Sequence, residues 1–238
     1  MRITKKILQV LSMVLLAGSL FAATQNPDAV WSKIRDKTQI QNLQVETTAN
    51  GIQLLGTAPL LKDKLKAEEI AKDKFAGNVV NNITVQAPQQ SDREITVNVI
   101  DNIRRELPSK FLFNNLSAET HNGNVILSGQ LRDAYLADEA VDAAAEVPGV
   151  QSVINKMQIA PPSLSDDRLR IAILRSFYRD GTLLNSLTGA QPSVSILVNS
   201  SRVTLVGIVN SNVEKMKAET IARSIPGVLS VSNQIAVE

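Results

Sequence analysis

The stretch "VPGVQSVINKM", residues 147–157, returns almost letter for letter as "IPGVLSVSNQI", residues 225–235. Proline cannot continue a helix, and Pro-Gly suits the two central positions of a type II turn, where glycine supplies the positive φ. Pro148-Gly149 and Pro226-Gly227 are therefore predicted to end a helix and turn the chain. The alternation that follows, from Val153 to Asn155 and from Val231 to Asn233, opens a strand. A third, worn version surrounds Gly77 in "FAGNVVNN", without the proline. One phrase written three times implies one module built three times.

Upstream of each phrase the same order recurs. "IQLLG", "VILSG" and "VTLVG" end at Gly56, Gly129 and Gly207. Ile52, Val125 and Val203 stand four residues before these glycines, and Leu54, Leu127 and Leu205 two before, so both share one face of a strand. "TANG", "HNGN" and "NSSR" supply the turn ahead of it, and an earlier alternating run completes a hairpin. Beyond the glycine the period becomes helical. Ala67, Ala140 and Ala218 lie eleven positions on, and Ala71, Ala144 and Ala222 fifteen. Small residues on one stripe let a helix lie close to a sheet. Counting on from the glycine, Val80, Val153 and Val231 fall at twenty-four, and Asn82, Asn155 and Asn233 at twenty-six. A strand-to-helix glycine is explained by close backbone approach or positive φ. None of these glycines has the spacing or the Lys-Ser/Thr of a phosphate loop.

Each module also has an opening helix. "SDREITVNVIDNIRREL" carries a capping box, Ser91 with Glu94, and buries Ile95, Val99 and Ile103. "SDDRLRIAILRSFYRD" buries Ile173, Leu174 and Phe177, and the shorter "PDAVWSKIRDK" uses Val30, Trp31 and Ile34. The fold expected is α+β, three tandem αββαβ modules, each with two helices on one face of a small mixed three-stranded sheet. Their expected spans are 25–87, 91–160 and 164–238, with the Pro-bearing segments "APQQ" and "APPS" between them.

This order, with its central glycine, Pro-Gly-Val and Val-x-Asn, resembles the BON domain family, and the first module is its divergent copy. The resemblance implies an exported bacterial protein linked to envelope integrity and osmotic stress. It also implies phospholipid binding or a chaperone role in the periplasm, and no enzymatic activity. Export fits residues 1–22, where "MRITKK" precedes an apolar run ending in small residues, the pattern of a cleaved signal peptide. No cysteine follows for a lipid anchor, so the expected location is the periplasm.

Composition narrows the chemistry. The chain has 25 basic and 23 acidic residues, but Arg2, Lys5 and Lys6 belong to the leader, so the remainder is close to neutral at −1. No generic nucleic-acid binder is expected from that balance. There is no cysteine and a single histidine, His121, in a turn, so no metal site, cofactor or Ser–His or Cys–His pair is expected. The acids Asp138, Glu139, Asp142 and Glu146 read as the solvated side of an alanine-rich helix rather than a hydrolytic pair.

Local charge points to one surface. The three spans carry net charges of +1, −4 and +2. On the opening helix of the third, Arg168, Arg175 and Arg179 fall within about 40° of one another, opposite Leu174, Phe177 and Tyr178. Arginines can engage lipid phosphates bidentately. Leu183, Leu184 and Leu187 in the following loop are candidates to enter the headgroup layer. "KFLFNNL", residues 110–116, is a weaker candidate in acidic surroundings. The expected partner is an anionic phospholipid surface, with exported client proteins held by a chaperone or scaffold as the other reading.

Overall fold

The structure is a computed structural model that describes residues 26–87, 89–107, 111–183 and 193–238. The expected leader at 1–22 and two candidate leucines, Leu184 and Leu187, lie outside the described residues. The first module falls in one compact unit, and the second and third share another, Gln90–Glu238.

The elements follow the expected order three times. The first module holds α1 (Pro27–Lys37), β1 (Gln41–Thr48), β2 (Gly51–Ala58), α2 (Leu61–Lys74), β3 (Asn78–Asn81) and β4 (Thr84–Val85). The second holds α3 (Asp92–Glu106), a short 3-10 turn (Phe111–Phe113), β5 (Asn115–His121), β6 (Asn124–Leu131), α4 (Tyr135–Ala145) and β7 (Ser152–Ile159). The third holds α5 (Leu164–Arg179), β8 (Val194–Asn199), β9 (Arg202–Val209), α6 (Asn212–Ser224) and β10 (Ser230–Val237). In every sheet the central strand pairs antiparallel with the strand before it and parallel with the strand after the helix.

The repeat residues make the core. Ala67, Ala71, Ala140, Ala144, Ala218 and Ala222 are all fully buried, as are Ile52, Leu54, Val125, Leu127 and Leu205. Alanine leaves the helix backbone near the strands, so the aliphatic side chains of the sheet fill the gap.

The module glycines sit at the tightest approach in each sheet. Gly129 has φ 128°, and a Cβ there would stand 2.1 Å from the Asn115 carbonyl oxygen. For Gly207 the values are 142° and 1.9 Å, to the Ser193 carbonyl. At Gly56, φ 146°, the first obstacle is the Ile40 side chain at 2.8 Å. The Pro-Gly turns close with the Val150 amide donating to the Val147 carbonyl (3.3 Å) and Val228 to Ile225 (3.2 Å), with Gly149 at φ 92° and Gly227 at φ 95°.

Counting at constant offset fails in the first module. Val125 pairs with Val153 and Val203 with Val231, but Ile52 pairs with Val79. The residue equivalent to Asn155 and Asn233 is Asn81, not Asn82. In all three, the asparagine side chain accepts from the amide two residues on: Ile83, Met157 or Ile235. The segment without proline is one residue shorter, and every later position slides by one. Val80, which the constant count placed inward, is 40% exposed. The shorter connection also accompanies a third strand divided into β3 and β4, both parallel to β2.

Each opening helix of the second unit is tied to its hairpin. Asp92 accepts from the amides of Asn122 (2.8 Å) and Gly123 (2.9 Å), and Asp166 from those of Ser200 (3.0 Å) and Ser201 (2.8 Å). These amides project together because Asn122, Gly123, Ser200 and Ser201 all have positive φ. The Gly123 and Asn122 amides hold the Asp92 carboxyl below its ordinary value.

Two features join the second and third modules. Leu112 and Phe113, from the stretch considered for membrane contact, pack instead against the core of the third module. Arg132 meets Asp167 at 3.2 Å, and Asp167 also receives the buried Arg170 at 2.6 Å, whose other arm donates to the Val198 carbonyl.

Candidate functional site

Helix α5 starts at Ser163, whose hydroxyl accepts from the Asp166 amide (3.2 Å), and presents Leu169, Ile173 and Phe177 to the core. What remains outside is unusual. Arg168, Arg175 and Arg179 are all exposed, and none is paired with an acid among the described residues. Beside them Leu164 is 79% exposed, Ile171 39% and Tyr178 42%. At 100° per residue the six side chains span about 100° of the helix surface, the arginines along one margin and the apolar groups along the other. Tyr178, expected on the side opposite the arginines, flanks them, because it is one position past the buried Phe177. Leu164 and Ile171 were missed; their seven-residue spacing to Tyr178 was the signal.

The leucine candidates fare differently. Leu183 is 1% exposed and belongs to the core of the third module, so it cannot enter a headgroup layer in this conformation. Its amide donates to the Asp180 carbonyl (3.2 Å), which turns the chain back on the core directly after α5.

The second module offers a different surface. The equivalent hairpin-clasping aspartates are Asp92 in the second module and Asp166 in the third. They align α3 with α5, placing Glu94 where Arg168 stands, Asp101 where Arg175 stands, and Arg105 where Arg179 stands. Val97, 52% exposed, takes the place of Ile171. Glu94 is drawn into the capping box: its carboxylate accepts from the Ser91 amide (2.8 Å), which lowers its pKa. Between α3 and α4 runs a groove of about 460 Å³ with Asp101, Arg105, Glu146, Val147 and Pro148 in its lining. A second hollow of about 280 Å³ continues it past Glu106, Leu107, Glu139 and Asp142. At its floor the buried Asn102 donates to the Ala143 carbonyl (2.7 Å) and accepts from Arg105, so its amide is satisfied by protein. Among the described residues no group of three or more histidine, aspartate or glutamate side chains is placed to hold a metal ion, and His121 is exposed at the end of β5. No described helix is long and apolar enough to cross a membrane.

A family model described as "BON domain" matches the chain at residues 28–87, 91–161 and 180–238. The third match begins after α5, whereas the first two include their opening helices. A search of the curated proteins found no match. Among solved structures, the C-terminal domain of CdsD, the structural protein of the type III secretion system of Chlamydia trachomatis, is 15% identical. It covers 88% of this chain and 96% of that one, with a TM-score of 0.25. A second CdsD structure is 14% identical over 88% and 91%, with a TM-score of 0.26. At those scores neither supports an argument about arrangement or function.

Proposed function

The chain belongs to the BON domain family, and from that premise we propose a periplasmic protein, exported by its leader, that maintains the envelope by binding anionic phospholipid through the outward face of α5. BON domains are in general non-catalytic membrane- or protein-interaction modules. The observation that carries the reading is the pairing, on one exposed arc, of three unpaired arginines with Leu164, Ile171 and Tyr178. Guanidinium groups meet headgroup phosphates, and the adjacent apolar groups sit at the acyl boundary, as in interfacial amphipathic helices. Neutral lipid offers the apolar half of that interaction without the charge. The other reading, a chaperone or scaffold for exported client proteins, draws on the edge strands β7 and β10, which leave one side open to strand addition.

Co-sedimentation with phosphatidylglycerol and phosphatidylcholine vesicles decides between them. Each arginine near an anionic surface contributes about 1 kcal/mol. Arg168→Ala/Arg175→Ala/Arg179→Ala should therefore weaken phosphatidylglycerol binding by roughly a hundredfold. Raising salt should weaken it too, since the contacts are exposed. Indifference to both vesicles, with suppressed aggregation of an unfolded envelope protein, would establish the client-binding reading instead.

A further inference from the structure

The same unit carries a surface that α5 fits. We infer that the outward face of α5 docks into the α3–α4 groove of a second copy of this chain, giving head-to-tail assembly. The inference goes beyond the lipid reading and does not depend on it.

The second and third modules carry opposite net charge. Residues 91–160 carry net −4 and residues 164–238 net +2. The negative charge is concentrated where the second module is concave. On and just after α4, Glu139, Asp142 and Glu146 lie within about 60° of one another, and α3 adds Asp101 and Glu106 across the groove. Arg105, a cation in the same lining, is turned to the Asn102 side chain. Glu139 and Asp142 are about 4.5 Å apart along α4, and Arg175 and Arg179 about 6 Å apart along α5. Two arginines about one turn apart can thus face two carboxylates about one turn apart. The apolar match is small: Pro148 is the exposed apolar residue of the groove, with the buried Val147 and Leu107 behind it, and Ile171 and Tyr178 border the arginines.

Among the described residues Arg168, Arg175 and Arg179 form no ion pair, and neither do Glu139 and Asp142. The two surfaces belong to different modules and differ in shape, so a contact between them is heterologous. Each copy that gives its helix still has an open groove, and the assembly continues as a chain or closes as a ring. Opposite charges of this kind set orientation and speed of encounter, and their effect falls with salt. Because lipid and groove would compete for one helix face, anionic vesicles should dissolve the assembly.

Sedimentation velocity on the purified protein tests this with two charge-reversed variants. One carries Arg168→Glu, Arg175→Glu and Arg179→Glu; the other carries Glu139→Lys, Asp142→Lys and Glu146→Lys. The unaltered protein should self-associate at low salt and dissociate at high salt. Each variant alone should lose self-affinity by about tenfold or more. An equimolar mixture should regain it, since the acidic helix of the first fits the basic groove of the second and the reverse holds too. Recovery on mixing also shows that both variants are folded. A monomer at low salt at every concentration would overturn the inference. So would a Lys variant that still assembles, or a mixture that stays monomeric. A parallel vesicle measurement separates the two readings: the Lys variant should keep phosphatidylglycerol binding. If the unaltered protein ignores phosphatidylglycerol yet assembles, only the lipid reading fails.

Discussion

Helices α3 and α5 occupy the same place in consecutive modules and are fastened the same way, yet their outer faces differ in charge at two of three matched positions. Inside, Ile95, Val99 and Ile103 correspond to Leu169, Ile173 and Phe177, all buried, and Asp92 and Asp166 clasp the two hairpins alike. Outside, Glu94 and Asp101 stand where Arg168 and Arg175 do. The module fixes what faces the sheet, because packing tolerates few alternatives there. It leaves the solvent face free, and that is where the two copies differ.

The most severe way to break the comparison is through the glycines the two modules share. Gly129→Ala and Gly207→Ala both place a Cβ within about 2 Å of a carbonyl oxygen on a backbone that L-residues rarely adopt. Each should lose about 3 kcal/mol or more in urea unfolding. Gly56→Ala should lose less, because its first obstacle is a side chain that can move. Equal small losses at 129 and 207 would show that the modules do not depend on this approach.

The clasps should separate the modules more gently. Asp166 is buried, so Asp166→Ala strands two amides and should cost about 2 kcal/mol. Asp92 is more exposed, and Asp92→Asn should do less. Its effect should also depend on pH. The folded-state pKa of Asp92 is depressed, so its contribution is present in full above the ordinary aspartate value of about 3.9 and is lost as pH falls through the lower folded value. Unfolding curves of Asp92→Asn and the unaltered protein should therefore converge in acid. A gap that persists there would mean that the carboxylate is not what matters.

The finest test is a transplant. Asp101→Arg puts into α3 the charge that α5 has at Arg175, next to the exposed Val97. If charge on this arc is what recruits anionic lipid, phosphatidylglycerol affinity should rise about tenfold. No gain would mean that the three-arginine row, rather than any cation at this place, is required.

Much of this was legible in the sequence because repetition supplies its own check. Ala140 and Ala218 mean little singly, but their fixed distance from Gly129 and Gly207 marks one helix face. The method failed where its premise failed. A count anchored on Gly56 assumes equal length, and the missing residue near Gly77 moved Val79 and Asn81 into the roles given to Val80 and Asn82. The candidate face was legible in Arg168, Arg175 and Arg179, which fall on one side of the helix away from Ile173 and Phe177. Charge alone does not decide, since Arg170 and Asp166 on the same helix are buried. The apolar half of the face was not legible. A hydrophobic residue such as Ile171 is assigned to the core by default, and only burial shows otherwise. Leu183 fails for the mirrored reason: a loop leucine reads as exposed until the chain is seen to fold back.

The packing of Leu112 and Phe113 on the third module makes the second module's cover depend on its neighbour. β8 and the rest of the third module's core cover Leu112 and Phe113, so the second module gains its full cover only once residues 194–238 are in place. A chain cut between residues 160 and 194 should therefore expose both side chains and be less soluble than the full chain, which centrifugation of the two would show.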